Sequence, residues 1–151
     1  MSNHLTRAAL LGAAIALSSP VLAQEHGTKD EAVALVKKAV AHVQAVGQEK
    51  ACADFANPTG NFQSKDLYVF LQKMNGDMIC HAKNSGLNAK NLAHLKDTDG
   101  KTFVAEMMAM AGNGSGWVDY KWVNPVSKKI EPKSAYVEKT GDSFIGAGIY
   151  K

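Results

Sequence analysis

Apolar residues recur near the start of the chain at the spacing of a helix. Val33, Val36, Val40 and Val43 form one stripe, widened by Leu35, Ala39 and Val46, the period of an element with one buried face. Thr28 and Glu31 stand at capping-box spacing, and Asp30 and Glu31 suit the positive end of a helix dipole. Gly47 marks the stop. A shorter helical piece follows from Glu49 to Phe55, and Asn57-Pro58-Thr59-Gly60 ends it as a turn.

The pattern then changes to alternation. Asp66 to Met74 is rich in aromatic and β-branched residues, Asn75-Gly76 is a hairpin signal, and Met78 to Ala82 reads as the returning strand. Asn84 to Gly100 is polar, with Leu87, Leu92 and Leu95 as anchors, and Lys101 to Ala111 reads as a helix turning Phe103, Val104, Met107 and Met108 inward. Three further strands are predicted at Trp117 to Val123, Ser134 to Glu138 and Ser143 to Tyr150. Short turns between them make an antiparallel sheet. The expected class is α+β: five antiparallel strands, the long N-terminal helix on one face, short helices of the connection on the other.

The first residues have a different purpose. A weakly basic start, an apolar run from Ala8 to Leu17, Pro20 and then Val21-Leu22-Ala23 have the order of an export signal cut after Ala23. The run is short for a bilayer span, and no second such stretch follows. Residues 1–23 are therefore expected to be a leader and residues 24–151 a single periplasmic domain, long enough to fold without disulfides. Removing the leader removes Arg7, the one arginine among seventeen basic residues, and leaves sixteen lysines against fourteen carboxylates, a formal charge of +2. Scattered lysines without arginine forks argue against nucleic acid. Any bound anion must be met by lysine, histidine, hydroxyls or backbone N–H groups.

Enzyme signatures are absent: there is no G-x-S-x-G, no H-E-x-x-H and no phosphate-cradling glycine loop. Gly146-Ala147-Gly148 lies within a strand with no helix after it, which points to a close backbone approach or a bend. Cys80-His81 resembles the tail of a haem-attachment motif, but Asp77 stands where its first cysteine belongs. His26, His42, His81 and His94 have no metal-ligand spacing, so neither a metal nor a cofactor is expected.

The two cysteines, Cys52 and Cys80, have two readings. A bridge would close a loop of roughly thirty residues and contribute about 3–4 kcal/mol; otherwise they are buried thiols, with Cys80 a conceivable redox or nucleophilic centre. Strand alternation carries a consequence. If Cys80 faces the long helix, His81 faces the other side of the sheet. Tyr68, Phe70, Trp117, Tyr120, Trp122 and Tyr136 concentrate aromatic surface in the strands, as an ordinary core or as the wall of a pocket for a small amphiphile.

Gly116 to Pro125 (G-W-V-D-Y-K-W-V-N-P), Glu131 to Val137 (E-P-K-S-A-Y-V) and Gly146 to Lys151 (G-A-G-I-Y-K) resemble the closing half of the single Cache domains. Asp66 to Phe70, Gly76 and His81 are similar to that family's central hairpin, with Ala82 where its members usually carry proline. The resemblance implies a PAS-like extracytoplasmic sensor fold of the stand-alone secreted type, binding a short organic acid without catalysis on the face away from the long helix. By position it assigns His81, Tyr120, Trp122, Lys133 and Tyr136 to the pocket, with Tyr68 and Phe70 as wall and Lys133 as the charge for a carboxylate. It also implies a membrane-bound chemoreceptor or histidine kinase as partner. The alternatives are an interaction module that docks on such a receptor, and a thiol redox protein using Cys80.

Overall fold

The computed structural model describes residues 25–151, so the leader expected at residues 1–23 lies outside the described residues. Helix α1 runs Lys29–Val46 and α2 runs Gln48–Ala56, with Gly47 between them at φ 82°. The Thr28 hydroxyl accepts from the Glu31 N–H, and the Glu31 carboxylate accepts from the Thr28 N–H at 2.8 Å. That closes the capping box. Ala32, Val36 and Ala39 are fully buried, and the small residues let α1 lie close against the sheet.

The strands are β1 (Gln63–Ser64), β2 (Leu67–Lys73), β3 (Met78–His81), β4 (Ser115–Val123), β5 (Ile130–Thr140) and β6 (Ser143–Tyr150), with α3 at Phe103–Gly112. All pairings are antiparallel, in the order β1–β2–β6–β5–β4, and β3 also pairs with β2. The five expected strands are present, and the two-residue β1 is a sixth. The β2–β3 connection is the four residues 74–77: Lys73 N–H donates to Asp77 C=O at 2.8 Å, and Gly76 sits at φ 95°.

Strand β5 begins four residues earlier than its pattern suggests and runs through Pro132. The Pro132 carbonyl accepts from Lys151 N–H, on the β6 side. Its missing N–H lies on that same side, so the β4 ladder loses no bond.

The sheet separates two cores. On one face α1 and α2 cover Val69, Leu71, Ile145 and Ala147; on the other, α3 and the 84–102 connection cover Phe70, Tyr120, Val137 and Phe144. Cys52 of α2 is bonded to Cys80 of β3, Cα–Cα 5.9 Å, and no free cysteine remains among the described residues. The redox alternative for Cys80 therefore has no thiol to work with.

Candidate functional site

A bulge in β3 arranges the site's first wall. Phe70 pairs with His81 and Leu71 with Cys80, but Gln72 pairs with Met78, which leaves Ile79 as the extra residue. Cys80 consequently points to the helical pair, while Met78 and His81 share the opposite face. Tyr68, Phe70 and Gln72 of β2 share it too, as do Val118, Tyr120 and Trp122 of β4 and Lys133, Ala135 and Val137 of β5.

Tyr136 does not belong to that face. It is three residues from Lys133 along a regular strand, an odd step that reverses the side-chain direction. Its ring packs on Trp117 at 5.6 Å in the helical core, and its hydroxyl donates to Glu138 Oε2 at 2.9 Å. The other six assigned residues come together. His81 lies 5.0 Å from the Tyr68 ring, 6.2 Å from Phe70 and 6.3 Å from Trp122, and Tyr120 stacks on Phe103 at 4.4 Å.

Lys133 is the unusual member. Its side chain is 1% exposed, and Nζ donates to Tyr68 Oη at 2.8 Å. It lies over the rings of Tyr68, Tyr150 and Tyr120 at 4.1, 4.9 and 5.8 Å. No carboxylate lies within 4 Å of it among the described residues. Tyr150 Oη spends its proton on the Val123 carbonyl at 2.7 Å, so at the 3.2 Å contact Tyr68 is the donor to Tyr150. Proton donation therefore runs one way, from ammonium to phenol to phenol to carbonyl. One ammonium N–H is used. The rest have only aromatic faces.

Burial pushes the Lys133 ammonium down to about 7, opposed by the Asp66 carboxylate. Asp66 itself is fully buried and already occupied, accepting from Gly27 N–H at 2.8 Å and meeting the His26 ring at 2.7 Å. Burial, then the nearby Lys133 charge, lowers His81 to about 3. The neutral ring accepts the Lys83 N–H at Nδ1, which leaves the proton on Nε2. Burial also drives the Tyr68, Tyr120 and Tyr150 hydroxyls up, so all three stay neutral. The face thus sets neutral donors around one lysine, whose proton is held only up to near-neutral pH.

Two glycines make room for it. A Cβ at Gly148 falls 2.5 Å from Lys133 Cε, and one at Gly146 falls 2.2 Å from Phe70 Cζ. The close-approach reading of Gly146-Ala147-Gly148 holds at both. Tyr150 and Gly148 escaped the sequence-level assignment, although the pairing of Lys133 with Tyr150 and of Ala135 with Gly148 puts both on the Lys133 face. Two spaces meet at His81 and Trp122. One, lined by Phe70, His81, Phe103, Met107, Tyr120 and Trp122, leaves about 20 Å³ for the centre of a water molecule, about what a single water needs. The other opens to solvent beside Tyr68, His81 and Trp122 and leaves about 160 Å³. No group of three metal-ligating side chains occurs among the described residues.

Comparison with known proteins places this geometry. The sensor histidine kinase MctS of Rhizobium johnstonii is 33% identical over 88 residues, 57% of this chain and 19% of the kinase. The methyl-accepting chemotaxis protein McpP of Pseudomonas putida is 31% identical over 88 residues, 56% of this chain and 16% of the receptor. The chain thus spans less than a fifth of the length of either. A methyl-accepting chemotaxis protein from Vibrio parahaemolyticus superposes with TM-score 0.71 at 25% identity, over 81% of this chain and 87% of that one. A Cache chemosensory domain described for its carboxylic acid recognition has the same fold, TM-score 0.68 at 24% identity, over 80% of this chain and 91% of its own. The sequence pattern of single Cache domain 2 matches residues 21–151, and the chain belongs to that family of sensor domains.

Proposed function

We propose that this chain is an exported periplasmic sensor domain that binds a short carboxylic acid beside Lys133 and catalyses nothing. The observation that carries the reading is the Lys133 ammonium: fully buried, with a phenol as its one hydrogen-bond acceptor and no counter-charge within ion-pair distance among the described residues. Burying a cation unpaired is costly, and a carboxylate is the partner that removes the cost. The Nε2–H of His81 is a neutral donor that suits the same anion, and Tyr120 and Trp122 suit its aliphatic part. Lys133 lines neither adjoining space, so an acid reaching its ammonium displaces one of the rings packed over it, Tyr68 or Tyr120.

A thermal-shift screen of unbranched acids of two to six carbons tests the reading. At least one acid should raise Tm in the wild type and leave Lys133→Met unmoved. Equal stabilisation of both proteins, or none by any acid, overturns it.

A second reading is a domain that docks on a membrane-bound chemoreceptor or kinase. It is favoured by Val123, Val126 and Ile130, which are exposed together around the β4–β5 turn. It requires that Ile130→Asp abolish co-purification with that receptor while leaving acid binding intact.

A further inference from the structure

The solvent-open cleft beside the site has a composition that the buried lysine does not explain. Its rim carries Lys83, two residues past His81 where β3 ends, and Lys128, in the turn between β4 and β5. Asn84 completes the rim, the buried Asn124 lies beneath it, and no Asp or Glu lines the cleft among the described residues. Neither lysine belongs to an ion pair among the described residues. They do sense each other: burial first, then the Lys128 charge, holds Lys83 below the ordinary lysine range. Two like charges at one cleft, with no acid between them, favour an anion there.

The turn that presents Lys128 is firmly built. Lys128 has φ 62°, a left-handed backbone that costs a side-chain-bearing residue. Its N–H donates to the Asn124 carbonyl at 2.9 Å, and the Asn124 side chain accepts from Val126 N–H at 2.8 Å and donates to Glu131 at 2.8 Å. The cleft floor includes Tyr68, whose hydroxyl is 2.8 Å from Lys133 Nζ. One phenol therefore separates the open cleft from the buried ammonium.

We propose that the cleft between Lys83 and Lys128 is a second anion subsite, so that the whole site takes a short dicarboxylic acid, one carboxylate at Lys133 and the other at the rim. This rests on the reading of Lys133 as a carboxylate seat. Asn84 adds an amide group at the rim, and Trp122, which lines both spaces, covers the carbon chain between the two ends.

Calorimetric titration of the purified protein at physiological salt tests it, using matched straight-chain mono- and dicarboxylates of three to six carbons. One dicarboxylate should bind about tenfold or more tightly than the monocarboxylate of equal length. The double variant Lys83→Gln/Lys128→Gln should lose that advantage, keep its Tm and retain monocarboxylate affinity within about twofold. Lys133→Met should lose both ligands. Monocarboxylate binding with no dicarboxylate preference, or a preference that survives in the double variant, overturns the rim subsite and leaves the Lys133 seat standing. A variant that only slows association assigns the pair to steering and also overturns the subsite. Failure of every acid to bind the wild type removes both.

Discussion

Lys133 costs the folded protein stability, and that cost is measurable. Its ammonium is buried against three phenol rings with one hydrogen bond, so an apolar side chain of similar length should fit better. Lys133→Met is expected to raise stability by about 1–4 kcal/mol at pH 6, read from denaturant midpoints, while abolishing acid binding. The gain should depend on pH with a definite sign. The folded value is about 7 against the ordinary 10.5, so between those pH values the unfolded chain holds a proton that the folded chain has released. Wild-type stability from this group is therefore full above about 10.5 and lost as pH falls through 7. The advantage of Lys133→Met should shrink steadily from pH 7 to pH 10. A pH-independent difference would show that the amine does not titrate in that window. His81, lowered to about 3 from 6.5, follows the same sign in acid: its contribution is full above 6.5 and lost as pH drops toward 3.

At the scale of elements, strand parity decides what can meet. The direction of β3 was legible because Cys80 and His81 are adjacent and must face opposite sides, and the disulfide to Cys52 and the His81 ring do so. The same rule, applied to the three-residue step from Lys133, excludes Tyr136, which the family resemblance had assigned to the pocket. The bulge at Ile79 was not legible, because no glycine or turn residue marks it in the sequence. Gly148 shows parity from the opposite side: its missing Cβ is the space Lys133 occupies. Gly148→Ala should cost about 1–3 kcal/mol and weaken acid binding at least tenfold. Wild-type affinity in that variant would mean that Lys133 need not lie where it does. The bridge from α2 to β3 is a separate device, its ends 28 positions apart in the chain. Replacing both cysteines with alanine should cost about 3 kcal/mol in a denaturant titration while leaving acid binding unchanged. Loss of binding there would tie the helical face to the site.

For the whole molecule, the sheet divides the work. One side packs α1, α2 and the disulfide in a close apolar layer, and the other keeps a cation, neutral donors and small spaces beneath α3 and the 84–102 connection. The order of elements and the two-sided sheet follow from periodicity and turn chemistry, but the closeness of the pocket does not. Composition fixes which side chains are available, whereas packing decides that Tyr120 stacks on Phe103 and leaves room for about one water. No helix among the described residues is long and apolar enough to cross a membrane. The account is tested most directly by following the titration of the Lys133 side chain by NMR, using lysine labelled at Cε and Nζ, in the free protein and with saturating acid. A midpoint near 7 in the free protein, rising by about two units or more with the acid bound, is the predicted result. A midpoint that does not move when the acid binds would contradict a carboxylate at Lys133.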